Sequence, residues 1–301
     1  MKTRYLKRAG LYVSEIGFGC MSLGSDFALN ERLIHKAIDH GITYFDTADL
    51  YQKGENERVL GRAIKGRREG LVVATKVGNK WSDTNDGWEW MPRKSYILSA
   101  AEESLKRLGI EQIDLYQLHG GTIDDPFDEV IEAFEILRSA GKIKSYGLSS
   151  IRPNVFMKLV KETGIASNMM QYSLLDRRPE EYFDSFTKYE VGMMARGCLA
   201  KGILVNKGIS KYLGYTTQLL ELMIDKLKSF SIEKKDHVML ALGWVLGHKA
   251  ITSAIVGISN LEQLDELIDY SKYPELPAEV FEALSTVLDP LSYEQHLLSE
   301  Q

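Results

Sequence analysis

Four residue types that can move protons together recur at matching places in this 301-residue sequence. Asp46 ends an apolar-leaning strand in Gly41-Ile42-Thr43-Tyr44-Phe45-Asp46, and Tyr51 follows on the loop Thr47-Ala48-Asp49-Leu50-Tyr51. An aspartate closing a buried strand is costly unless a cation meets it. The strand Leu71-Val72-Val73-Ala74-Thr75-Lys76 ends in one, and a third strand, Ile113-Asp114-Leu115-Tyr116-Gln117-Leu118, is followed by His119. A free tyrosine gives up its proton only near pH ~10, whereas a neighbouring ammonium stabilises the phenolate. Lys76 would supply that charge, Asp46 would hold Lys76 charged and oriented, and His119 could hydrogen-bond the same substrate oxygen. Tyr51 is then the general acid for a carbonyl that receives hydride on carbon. Singly, each residue has a plainer reading: a packing tyrosine, a capping aspartate, a solvated lysine, a structural histidine. Their joint occurrence at three successive strand ends favours the chemistry.

The elements that would position them form a regular series. Two short alternating runs, Tyr5 to Val13 around Ala9-Gly10, predict a β-hairpin ahead of the main fold, serving as a lid or plug. Strands are then expected at Glu15 to Cys20, within the Gly41 to Tyr51 stretch, at Leu71 to Val77 and at Ile113 to Leu118. Four more follow at Ile143 to Leu148, Asn168 to Tyr172, Val191 to Arg196 and Ser253 to Gly257. Between them, apolar residues at helical spacing predict helices near Leu29 to His40, Glu55 to Ile64, a Ser95 cap to Gly109, and Pro126 to Gly141. Further helices are read from Pro153, at Pro179 to Lys188 (a weak pattern), between Thr216 and Gly247, and from Ser259 or Asn260 through Tyr270. Eight apolar strands alternating with helices imply parallel pairing through crossovers, and an α/β fold closed as a (β/α)8 TIM barrel. An open doubly wound sheet would want Gly-x-Gly-x-x-Gly after its first strand; Gly17-Phe18-Gly19 begins that pattern and Gly24 does not complete it. No linker interrupts the series, so residues 1–301 read as a single barrel domain, with Pro274 to Gln301 as a C-terminal tail that wraps the barrel or covers its mouth.

Composition narrows the classes of function. A 44% hydrophobic and 26% charged chain can bury a core without disulfides or a structural metal, and a net charge of −5 favours neither nucleic acid nor membrane. The two cysteines, Cys20 and Cys198, have no metal-like neighbours and point to a reducing compartment. With no apolar run of ~18 residues and no signal-like start, the expected localisation is cytoplasmic. His35 and His40 lie on a helix and the other histidines lack ligand spacing, so no metal is expected.

Over nearly its whole length the chain resembles the aldo-keto reductases, more closely their bacterial members and the branch that includes potassium-channel β-subunits. Gly41 through Tyr51 with Asn56-Glu57 and Leu60-Gly61 is similar to that family's first signature. Ser104-Leu105-Lys106-Arg107-Leu108-Gly109, followed by Ile113 to His119, is similar to its second. The resemblance implies Asp46, Tyr51, Lys76 and His119 as the catalytic set, NADPH as cofactor with NADH less favoured, and a small aldehyde or ketone as substrate. It further implies that Ser149, Ser150 and Gln171 meet the nicotinamide carboxamide, that Leu199-Ala200-Lys201-Gly202 folds over the pyrophosphate, and that Gly257 to Gln263, with Ser259 and Asn260, meets the adenosine.

Two positions depart from the family pattern. Arg196-Gly197-Cys198 stands where an aromatic residue and Ser-Pro are usual; a guanidinium plane can stack on a ring in the aromatic's place. The adenosine segment carries no arginine or lysine, so the NADPH preference should be modest, and Asn260→Arg should raise it if that side chain faces the ribose. Three of the four tryptophans lie between Lys80 and Met91, lining an apolar pocket or packing their loop onto the barrel. Cys20 reads as an apolar filler beside the site. A second function is open to the same residues: a nicotinamide-nucleotide-binding redox sensor or regulatory subunit that turns over slowly.

Overall fold

In the computed structural model, which describes residues 1–82, 87–205, 208–231, 236–273 and 275–298, the chain opens with an antiparallel hairpin. Its strands are β1 (Thr3–Leu6) and β2 (Leu11–Ser14), and Gly10 makes the turn between them possible by taking φ 63°, a left-handed value that glycine adopts without a Cβ clash. β3 (Ile16–Gly19), β4 (Tyr44–Asp46) and β5 (Val72–Val77) follow, then a small hairpin of β6 (Asn79–Trp81) and β7 (Trp88–Trp90). The series continues through β8 (Ile113–Leu118), β9 (Ile143–Leu148), β10 (Ser167–Gln171), β11 (Gly192–Arg196) and β12 (Ile251–Gly257). Apart from the two hairpins, these strands form one closed barrel in the order β3, β4, β5, β8, β9, β10, β11, β12, every neighbouring pair parallel. The predicted (β/α)8 closure is therefore the observed one.

Helices α1 (Phe27–Asp39), α2 (Glu55–Ala63), α3 (Lys94–Leu108), α4 (Phe127–Ser139), α5 (Pro153–Glu162) and α6 (Phe183–Lys188) occupy successive crossovers. Beyond β11 come α7 (Thr217–Phe230) and α8 (Asp236–Gly247), then α9 (Leu261–Tyr270) and α10 (Ala278–Ser285) after β12. The helical region expected between Thr216 and Gly247 is thus two helices, with residues 232–235 outside the described residues. α1 begins at Phe27, because the Asp26 carboxylate accepts from Leu29 N at 3.1 Å and caps it. α3 begins after Arg93, and Ser95 lies inside it with no capping bond, so the expected Ser95 cap is not the one used. The weak sixth pattern is a 3-10 turn at Arg178–Tyr182 running into a six-residue α6.

The outer core between strands and helices is one large apolar cluster; a smaller one fills the barrel floor. In the latter, Leu6, Leu11 and Val13 of the hairpin meet Tyr44, Val72, Leu115 and Ala166, which lie in or just before the early parts of their strands. The hairpin is therefore a plug at the N-terminal end, and each of those buried side chains stabilises it by about 1.5–3 kcal/mol. The tail runs past α10 to the opposite rim, where Asn154 N donates to His296 O at 2.8 Å and Tyr293 packs against Arg178. It borders the mouth; Pro274 and residues 299–301 lie outside the described residues. Among the described residues no helix is long and apolar enough to cross a membrane.

Candidate active site

Side chains alternate across a strand, and Tyr44, Val72, Ala74 and Leu115 share the barrel interior. Two residues further along the same faces stand Asp46, Lys76 and Gln117, and the series continues to His119 just past β8. Asp46 lies opposite Ala74, while Lys76 lies opposite Gln117 one layer nearer the mouth. Lys76 Nζ nevertheless donates to Asp46 Oδ1 at 2.5 Å and to the Thr47 carbonyl at 2.7 Å, and lies 3.4 Å from the Tyr51 hydroxyl. Gln117 Nε2 donates to the other Asp46 oxygen at 3.3 Å. The His119 ring meets the Tyr51 ring edge-on with centroids 5.9 Å apart. All four predicted catalytic side chains are gathered at the C-terminal mouth of the barrel.

The lysine and aspartate side chains are 1% and 5% exposed, so their charges are out of water and depend on each other. Burial alone would discharge Lys76, but the Asp46 carboxylate and the Tyr51 oxygen reverse that and hold the ammonium charged. Burial likewise pushes the Asp46 carboxyl above its ordinary range, with Lys76, Gln117 and Arg196 opposing. His119 is pushed down to about 3, first by burial and then by the charges of Lys76 and Arg196. At neutral pH it is an uncharged imidazole, able to donate one N–H but not to serve as an acid. Its Nδ1 is buried with no partner among the described residues.

Tyr51 is carried on a tight turn. Tyr51 N donates to Ala48 O at 3.1 Å, and the next residues, Gln52 and Lys53, take left-handed φ values of 51° and 56°. Trp81 Nε1 donates to Leu50 O at 3.1 Å and pins the turn from the side. Trp90 Nε1 donates to both Asp125 oxygens at 2.9 and 3.0 Å, while Trp88 is 54% exposed. Two of the three loop tryptophans thus act as packing and anchoring groups. Cys20 is fully buried in the core beside the site, its thiol pushed far up by burial, as a filler would be.

The predicted nucleotide residues line a second region of the same rim. Gly197, Leu199, Lys201, Gly202, Gly257 and Gln263 border one cleft of about 290 Å³. At its edge, a Cβ added to Gly257 would meet Ser22 Oγ at 2.3 Å, so a side chain there would require Ser22 to turn away. Gly197, Ala200, Lys201 and Gly202 all have positive φ, curling the loop between β11 and α7 over the cleft. Gln171 and Arg196 are register partners at the ends of β10 and β11, next to Gly197. Ser149 N donates to Leu118 O at 2.8 Å, and Ser150 is buried. Asn260 caps α9 by accepting from Gln263 N at 2.9 Å, while Ser259 N and Oγ donate to Gln263 Oε1. The three polar adenosine-segment residues are therefore bonded to one another.

Sequence reasoning missed several groups. Gln117 shares its strand face with His119 two residues on, and that parity was a usable signal. Asn168 brackets Ser150, accepting from its N at 3.1 Å and donating to its O at 3.0 Å, a pairing across β9 and β10 that only the register reveals. Ser22 and Glu266 also line the 290 Å³ cleft, from the β3–α1 connection and α9.

Comparison with known proteins agrees with this geometry. The Aldo/keto reductase family model matches residues 15–289. The chain is 43% identical to "Uncharacterized oxidoreductase YqkF" of Bacillus subtilis (strain 168), covering 98% of this chain and 99% of that one. It is 31% identical to "Probable aldo-keto reductase 1" of Glycine max over 86% of this chain and 81% of the other. Among solved structures, the holo form of aldo-keto reductase AKR11C1 from Bacillus halodurans superposes with a TM-score of 0.93 at 44% identity, covering 98% of this chain and 99% of that one. The apo form gives a TM-score of 0.85, with the same coverage.

Proposed function

This chain belongs to the aldo/keto reductase family, oxidoreductases of the carbonyl-reducing kind, and from that premise we propose that it reduces aldehydes or ketones to alcohols with NADPH, Tyr51 acting as general acid. The observation that carries the reading is Lys76 Nζ lying between the Asp46 carboxylate and the Tyr51 hydroxyl. When bound, a reduced nicotinamide supplies hydride to the carbonyl carbon. As the carbonyl oxygen gains charge, the Tyr51 hydroxyl gives it a proton, and the Lys76 ammonium takes up the charge left on the phenolate. Asp46 keeps Lys76 charged and in place. Neutral His119 donates a hydrogen bond to the same oxygen and orients the carbonyl.

The nucleotide fits the residues present: a cleft bordered by Gly197, Gly202 and Gly257, a loop of left-handed residues beside it, and the N-terminus of α9 at its edge, which favours an anion. Ser149, Ser150 and Gln171 would hold the carboxamide, the 197–202 loop the pyrophosphate, and Gly257 to Gln263 the adenosine. Arg196 would lie flat on the nicotinamide, in the place of an aromatic ring.

Loss of NADPH absorbance with a panel of aldehydes and ketones tests the assignment. Turnover with several carbonyls is the expected result. Tight NADPH binding with barely measurable turnover across the panel would instead favour a redox sensor.

A further inference from the structure

Behind the catalytic turn, on the side away from the barrel axis, lies a cavity of about 240 Å³ that the reaction does not use. Asp49, two residues before Tyr51, lines it and is only 7% exposed. Its Oδ2 accepts a long bond from Tyr96 Oη at 3.5 Å, while its Oδ1 is buried with no partner among the described residues. A buried carboxylate left half-satisfied is expensive to keep charged.

The neighbouring charges do not balance it. Glu57 of α2 is fully buried, accepting from Arg107 Nε of α3 at 2.6 Å and from Thr75 Oγ1 of β5 at 2.5 Å. Two buried acids therefore share one guanidinium, and Arg107 is already committed to Glu57. Burial, reinforced by Glu57 and opposed by Arg107, the Leu50 N–H and Tyr96, pushes the Asp49 carboxyl up to about 8. The other groups facing it are the Tyr116 hydroxyl of β8 and, lining the same cavity, Lys53 of the turn, Lys80 of β6 and Glu103 of α3. Glu103 is paired with Lys106, and Lys80 lies 3.8 Å from Glu89. The cavity, lined also by Lys53 and Lys80, is thus the side on which an ionised Asp49 would find water and positive charge. The turn can be drawn that way, since Gln52 and Lys53 hold sparsely populated left-handed conformations whose cost is relieved by movement.

We propose that Asp49 is a positioning residue for Tyr51: while its carboxyl is protonated the turn from Ala48 to Gly54 stays seated and Tyr51 stays beside Lys76, and on ionisation the half-satisfied carboxylate turns into the cavity toward water and Lys80, and the turn carries Tyr51 with it. The proton leaves to solvent through the cavity. This rests on the general-acid reading of Tyr51 but is measurable without turnover. Trp81, bonded to Leu50 O and lining the cavity, reports on the turn.

The experiment is a pH titration of tryptophan emission in Tyr51→Phe, where the catalytic phenol cannot contribute. A step near pH 8 is expected, absent from Tyr51→Phe/Asp49→Asn. Tyr51→Phe/Tyr96→Phe, which loses a hydrogen bond to the charged form, should move the step to higher pH. In parallel, kcat of the wild type should fall several-fold as pH rises past 8, and kcat of Asp49→Asn should fall less. A flat titration of Tyr51→Phe, a step that survives Asp49→Asn, or superimposable kcat profiles would overturn the proposal. If Asp49→Asn does not fold, an unmoved step in Tyr51→Phe/Tyr96→Phe overturns it. Failure of the enzyme to reduce any carbonyl would sink the proposed function and leave the emission step to decide this one.

Discussion

Lys76 meets Asp46 across a layer of the barrel: the strand register pairs Asp46 with Ala74, yet Lys76 Nζ stands 2.5 Å from Asp46 Oδ1 with Tyr51 Oη 3.4 Å beyond. The side chain length of lysine is what closes that gap, and no shorter cation would touch both groups. The phenol is asked for a proton and has no part in holding the nucleotide. Tyr51→Phe should therefore lower kcat by about 10²–10⁴-fold where chemistry limits the rate. NADPH affinity, followed by titration of protein fluorescence, should change little. Retention of more than about a tenth of wild-type turnover would remove Tyr51 from the acid's role.

Removing the cation has a second consequence that removing the phenol lacks. Lys76→Met leaves the Asp46 carboxylate buried and unpaired, which typically costs about 3–5 kcal/mol. The variant should lose activity and show a lowered Tm. Adding Asp46→Leu should recover much of the Tm, because a well-packed apolar pair often matches a buried ion pair, without recovering activity. A double variant no more stable than Lys76→Met would mean that Asp46 and Lys76 are not energetically coupled.

How much of this was legible follows from which interactions are local. The barrel was readable because each strand carries its own apolar run and each helix its own stop, and the gathering of Asp46, Tyr51, Lys76 and His119 at one mouth because three strand ends fall in consecutive repeats. Gln117, Asn168 and Asp49 were not read as site residues, since what gives them a role is a partner distant in sequence: Asp46 at 71 positions for Gln117, Ser150 across a strand pair for Asn168. The Ser95 cap failed for a different reason. A serine near a helix start is a cap only when its own φ and ψ are extended, and here the chain is already helical at Lys94.

His119 should leave no histidine step in the pH dependence of kcat/KM near neutrality, because its folded-state value is lowered from 6.5 to about 3. The stability sign follows: the unfolded chain takes up a proton there before the folded one does, so this stability is present above pH 6.5 and is lost as pH falls toward 3. His119→Asn should flatten part of the acid-side decline of Tm. An imidazole NMR titration with a midpoint near 6.5 would contradict the assignment.

The last prediction concerns the adenosine end, where the 2′-phosphate of NADPH would meet Ser259, Asn260 and Gln263 without a dedicated cation. Those groups already bond one another, Asn260 as the cap of α9 and Gln263 as acceptor from Ser259. The wild type should therefore prefer NADPH only modestly, through the helix N-terminus and whatever hydroxyl and amide groups rearrange toward the phosphate. Arginine at 260 looks attractive from sequence, but it removes the cap and costs about 1 kcal/mol of local stability, so part of its gain should be lost to fraying of α9. Ser259→Arg keeps the cap and places the bidentate donor one residue earlier, on an exposed position. The ratio of kcat/KM for NADPH over NADH should rise in both variants and more in Ser259→Arg, and the Tm should fall only in Asn260→Arg. A wild type that clearly prefers NADH would overturn the cofactor assignment, and no response to either arginine would show that this segment does not face the ribose.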